Sequence, residues 1–122
     1  MAQALEISFG DDLDMRWLEL RLDIQKQFGK RPDLNALLFL IGIQELGQGI
    51  TEFTKEQKQD LMHIATCRVL SISGFYELDF TDEDGWPHYR SVKTLPPATL
   101  KGQEQLLKWH ILEYFDQLNE NN

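Results

Sequence analysis

The segment Leu34 to Leu46 places the tightest limit on what this chain can fold into. At about 100° per residue, Leu34, Leu37, Leu38 and Ile41 fall on one helical face, and Phe39, Ile43 and Leu46 fall on the opposite one. Leu40 lies between them. A helix that is apolar all round has no face to offer water, so other elements must cover it on several sides. Its ends are marked: Pro32 and Asp33 are a helix-start signal, and Gly47 and Gly49 follow the last apolar residue, where a left-handed cap is easiest.

With 122 residues, 42% of them apolar, the chain has material for one domain, residues 1–122, around one core. The longest apolar run, residues 36–41, is far short of the roughly 20 residues that span a bilayer. Met1 to Phe9 contains no basic residue and includes Glu6, unlike a secretory signal. The single Cys67 cannot close an internal disulfide, so a reducing, cytoplasmic setting is expected. A formal net charge of −8 repels phosphate backbones and anionic lipid, so neither nucleic acid nor membrane is an expected partner.

Leu5, Ile7 and Phe9 alternate with Glu6 and Ser8, as in a short strand or an arm that plugs a groove. A first helix is expected from Asp11 or Asp12 to about Phe28, stopped by Gly29, with Leu13, Trp17, Leu20, Ile24 and Phe28 as its core stripe. Met15, Leu18 and Leu22 form a second apolar row on the other side. That row needs a cover, either the N-terminal arm or a second copy of the chain. Thr54 and Gln57 form a capping box that opens a helix running to about Ser73. Its core stripe is Leu61, Ile64, Ala65, Val69 and Ile72. Arg68 interrupts the stripe, and Glu45 on the Leu34 to Leu46 helix is its candidate ion-pair partner.

From Phe75 the apolar period drops from 3.6 to 2. Phe75 to Thr81 and Trp86 to Val92 flank Asp82, Glu83, Asp84 and Gly85, which predicts a β-hairpin over about residues 75–92. Pairing Thr81 with Trp86 sets Asp79 opposite His88, Leu78 opposite Tyr89, Glu77 opposite Arg90 and Phe75 opposite Val92, all sensible cross-strand neighbours. Pro87 restricts its strand to an edge. Pro96 and Pro97 then set up a last helix from about Ala98 or Thr99 to Leu118, with Leu100, Leu107, Ile111, Tyr114, Phe115 and Leu118 facing the core.

The run Asp82 to His88, the Leu95, Pro96, Pro97 segment and the Gly42 to Gly47 stretch resemble a family of small acidic bacterial proteins with no assigned activity. The likeness extends over about Leu34 to Phe115. It implies a bacterial cytosolic setting and carries over no functional residues.

Several constellations bear on chemistry. Set in an EF-hand frame, Asp84 and Gly85 put Phe80 and Ser91 at the two ends of the calcium loop, where carboxylates are required. The acidic run therefore reads as a turn. His63 and Cys67 lie four apart, on the side of their helix away from its Leu61, Ile64 and Ile72 stripe, a spacing that lets two side chains share a metal; His88 or His110 would have to complete it. Cys67, His88 and Asp79 supply the residue types of a thiol hydrolase, but no feature around Cys67 would lower a thiol pKa. Glycines 42, 47 and 49 lack phosphate-loop spacing. Three helices followed by a hairpin is also winged-helix order. Five acids against Arg90 and Lys93 make that wing unsuited to DNA.

The sequence thus predicts a mainly α fold of four helices, with the hairpin before the last. The expected role is a self-associating protein-contact or regulatory module without catalytic activity or cofactor. Its expected surfaces are Met15, Leu18 and Leu22 on the first helix and Tyr76, Trp86, His88, Tyr89 and Arg90 on the hairpin. The rival class is a metal-dependent or thiol enzyme using His63, Cys67 and His88.

Overall fold

The computed structural model describes residues 10–120. Four helices and one antiparallel hairpin make up the described chain: α1 (Gly10–Phe28), α2 (Leu34–Leu46), α3 (Lys55–Ser71), β1 (Tyr76–Thr81), β2 (Pro87–Ser91) and α4 (Leu100–Glu120). The fold is mainly helical, with the hairpin directly before the last helix. The expected strand at Leu5, Ile7 and Phe9 lies outside the described residues. None of the described helices is long and apolar enough to cross a membrane.

The chain divides into two compact units, one holding α1 and α4 and the other running Asp33–Lys93. In the first, Leu13, Trp17 and Ile24 of α1 are buried, as are Gly102, His110, Ile111, Leu112 and Tyr114 of α4. Arg16 Nη2 meets Asp116 Oδ2 at 2.9 Å, and Lys108 Nζ lies 5.5 Å above the Trp17 ring, so α1 and α4 are joined by polar as well as apolar contacts. Three assignments change. The start of the first helix, expected at Asp11 or Asp12, lies earlier, at Gly10, so neither aspartate is the cap. Phe28, expected in the core stripe, is exposed because it occupies the last helical position, immediately before the left-handed Gly29. Leu100, expected on the core face, is 85% exposed because it is the first residue of α4.

The second unit contains the signalled helix boundaries. Asp33 Oδ1 accepts the Ala36 N–H at 2.8 Å at the start of α2, and Gly47, at φ +72°, ends it. Thr54 and Gln57 exchange both bonds of the capping box on α3. Leu37, Leu38 and Ile41 on one side of α2 and Ile43 and Leu46 on the other are all buried. Gly42 lets α2 approach α3 closely: a Cβ there would lie 2.3 Å from the Leu61 carbonyl oxygen. Helix α3 packs on α2 and on both strands, so it buries Cys67 and Leu70 as well as Leu61, Ile64, Ala65 and Val69. Cys67, expected away from the core stripe, is inside because the hairpin gives α3 a second covered side.

The hairpin register agrees with expectation at its open end and departs from it at the turn. Glu77 pairs with Arg90 and Leu78 with Tyr89, but Phe80 then faces His88 and Thr81 faces Pro87. The loop explains the shift. Asp82 N–H donates to the Trp86 carbonyl at 2.9 Å and Gly85 N–H to the Asp82 carbonyl at 3.0 Å, with Gly85 at φ +86°. Only Glu83, Asp84 and Gly85 lie between the closing pair, the three-residue hairpin loop with glycine in the left-handed position. The pairing sum therefore rises by one at the turn end, and Asp79 absorbs the difference as a bulge. Asp79 does not face His88.

Candidate functional site

Around the hairpin turn, polar groups converge on Asp82. Its Oδ1 accepts N–H bonds from Asp84 at 2.9 Å and Trp86 at 3.0 Å, and its Oδ2 lies 2.9 Å from His88 Nε2. The His88 bond, followed by the backbone donors, holds the Asp82 carboxyl below its ordinary range. Since a carboxylate only accepts, His88 carries its proton on Nε2 in this contact. The imidazole also stacks on Phe80, with centroids 4.4 Å apart and planes at 3°. From the α2–α3 connection, Gln48 Nε2 donates to the Asp84 carbonyl at 2.7 Å and fastens the turn.

Between this turn and α3 lies a cleft of about 210 Å³. Asp60 and His63 of α3, Asp82 and Trp86 at the turn, and His88 and Tyr89 of β2 contribute its polar and aromatic lining. Trp86 is half-buried against Ile43, Leu46 and Leu61, and its ring meets Phe53 edge-on at 6.5 Å. Phe53 in turn meets Phe39 edge-on at 6.1 Å. Tyr89 is half-buried too. Burial, with the Glu45 carboxylate second, raises its phenol above the ordinary value, against an opposing effect of Arg68.

The residues singled out from the sequence part into three groups. Met15, Leu18 and Leu22 form one row on α1 with exposures of 62%, 43% and 36%. Tyr76, Trp86 and Tyr89, the aromatic candidates for a contact surface on the ribbon, are half-buried, whereas Leu78, Phe80 and Val92 are exposed. His88 and Arg90 are exposed, and Arg90 Nη2 is bonded to Glu77 Oε1. Glu45 and Arg68 meet: Nε lies 3.0 Å from Oε1, with 29% of the arginine side chain and 22% of the glutamate side chain exposed.

For the metal and thiol reading, His63 and His88 reach one cleft but Cys67 does not line it. Cys67 Sγ lies 3.6 Å from His63 Nε2, and burial pushes the thiol up to about 11. That shift opposes the thiolate that nucleophilic attack or metal ligation requires. Among the described residues no three His, Cys, Asp or Glu side chains are grouped to hold a metal ion. His110, the other suggested ligand, is buried, with Nδ1 2.7 Å from the Leu106 carbonyl, and burial lowers its pKa.

Sequence reasoning passed over Asp60, Gln48 and the Asp82–His88 contact. Only the turn itself had a signal: Asp82 stands two residues before Asp84, the spacing at which an aspartate side chain accepts a backbone N–H, which places the carboxyl but does not name His88. Asp60 and Gln48 had none, since their roles depend on what the hairpin brings to them. No protein-family model, curated protein or solved structure matches the chain.

Proposed function

We infer that this protein is a small contact module that works by association, with a second copy of itself as its first partner and α1 as the surface. The row of Met15, Leu18 and Leu22 carries this reading. Large aliphatic side chains set side by side on a polar helix lose apolar area to water that a partner would remove, at about 25 cal/mol per Å². The polar surroundings of the row oppose an anionic membrane as that partner. Asp12, Asp14, Glu19 and Asp23 lie along α1, while Arg16 is bonded to Asp116 and Arg21 Nε to the Pro32 carbonyl. The hairpin is similarly unsuited to phosphate. Of its cations, Arg90 is paired with Glu77 and Lys93 lies 4.6 Å above the Phe75 ring, leaving a surplus of carboxylates. A bacterial cytosolic setting belongs to the proposal through the sequence resemblance alone.

Sedimentation tests it. Leu18→Glu with Leu22→Glu should turn a self-associating chain into a monomer while helical circular dichroism is retained. A parent protein that is monomeric at tens of micromolar, or a variant that unfolds, would remove α1 as the surface.

A further inference from the structure

The concave cleft between α3 and the hairpin turn is lined by two carboxylates and by no lysine or arginine. We propose that it receives the side chain of an arginine presented by a partner polypeptide. The inference rests on the contact-module reading and adds the chemistry of a second partner.

Size comes first. At about 210 Å³ the cleft is smaller than the roughly 300–1,000 Å³ of pockets that enclose a drug-sized molecule, so one long side chain suits it better than a whole cofactor. Sign comes next. Asp60 and Asp82 line it, and no lysine or arginine does. Among the described residues no cation pairs with Asp60. Asp82 is fixed in place by its two backbone donors and His88, and an ionised carboxylate with about four lone-pair sites retains room for another donor. The −8 balance of the chain would attract a cation from a distance.

The walls favour a planar cation. Trp86 and Tyr89 supply aromatic surface, and a guanidinium can stack on such a ring while directing its five N–H donors at carboxylates in its plane. Trp86 is already held by Phe53 and the Ile43, Leu46, Leu61 cluster, so little of its side-chain freedom remains to be lost on binding. A lysine ammonium would use the charge but not the planar geometry.

The test is a nuclear magnetic resonance titration of the full chain with acetyl-Gly-Arg-Gly-amide and with the same peptide carrying neutral citrulline. Arginine should give saturable shifts confined to the Trp86 indole N–H and to signals of His63, His88 and Tyr89. Citrulline should bind about tenfold more weakly or less, the loss expected when the cation is removed from an aromatic and acidic site. Asp60→Asn should weaken arginine binding several-fold, and Asp12→Asn, on α1, should leave it unchanged. Equal shifts with both peptides, shifts that follow carboxylates over the whole surface, or an unaltered Asp60→Asn titration would overturn the proposal. Sedimentation of the same samples separates the two readings. Lost arginine binding with intact self-association defeats the cleft alone, and a monomer that still binds arginine defeats the α1 surface alone.

Discussion

Helix α1 and the hairpin carry comparable sets of large apolar side chains, and they use them in opposite ways. On α1 the row Met15, Leu18 and Leu22 is exposed, on the side of the helix away from the buried Leu13, Trp17 and Ile24. On the hairpin the rings that look most like a contact surface, Trp86 and Tyr89, turn inward, and Leu78, Phe80 and Val92 face water. A helix residue's side is set by its own period, so α1 could be sorted by counting. A ribbon residue's side depends on where the ribbon closes and which face meets α3, and neither is a local property.

The largest effect is expected for Trp86→Ala. If Trp86 belongs to the packing around Ile43, Leu46 and Leu61, the change should cost about 2–4 kcal/mol and lower the thermal midpoint, at or below the loss for a fully buried aromatic. An unchanged midpoint would return Trp86 to the open surface and make the hairpin resemble α1. Arg68→Ala should have a smaller effect. The pair with Glu45 is neither sealed nor fully exposed, so about 1–3 kcal/mol is expected, between surface and buried ion pairs. Denaturant unfolding of the single and double variants would measure it, and a coupling near zero would mean that the two charges are independently solvated.

On the helical side, His110 gives a pH dependence with a definite sign. Its folded-state pKa is lowered by burial, so below its ordinary 6.5 the unfolded chain takes up the proton more readily. Its contribution is present above that pH and is lost as pH falls further through the folded value. His110→Gln should flatten the midpoint between pH 7 and 5 relative to the parent; an equal slope in both would exclude His110 as the source. The smallest effect is expected at the exposed ring. Phe80→Ser loses the stack with His88 at a surface position, and stability should change by about 0.5 kcal/mol or less. A larger loss in thermal unfolding would show that the outer hairpin face is also packed.

Helix ends and ion-pair candidates were legible because their signals are chemical and local. Asp33, Gly47, Thr54 and Gln57 each act within a few residues of themselves. Arg68 stood in an apolar stripe, where a charge needs either a partner or an outlet to water, and Glu45 stood on the helix that had to lie beside it. The expected hairpin was also legible, down to the Glu77–Arg90 and Leu78–Tyr89 pairs. What failed began at the turn. A four-residue loop and a three-residue loop with left-handed Gly85 differ by one position, and the bulge at Asp79 that reconciles the turn end with the open end has no signature in the Leu-Asp-Phe stretch containing it. The cleft was less legible still, since Asp60 is one acid among many until Trp86 and Tyr89 are set opposite it.

From the sequence alone one reads which segments are helical, how α2 and the start of α3 are capped, that a ribbon precedes the last helix, and which row of α1 is in excess of its core stripe. These follow from periodicity and from hydrogen bonds made within a turn or two of chain. Only the tertiary packing buries Cys67, with its thiol pushed up, and sets Trp86 half inside a cleft. The reason is common to both: α3 is covered by α2 on one side and by the hairpin on another, and the surroundings of each side chain depend on contacts between elements distant in sequence.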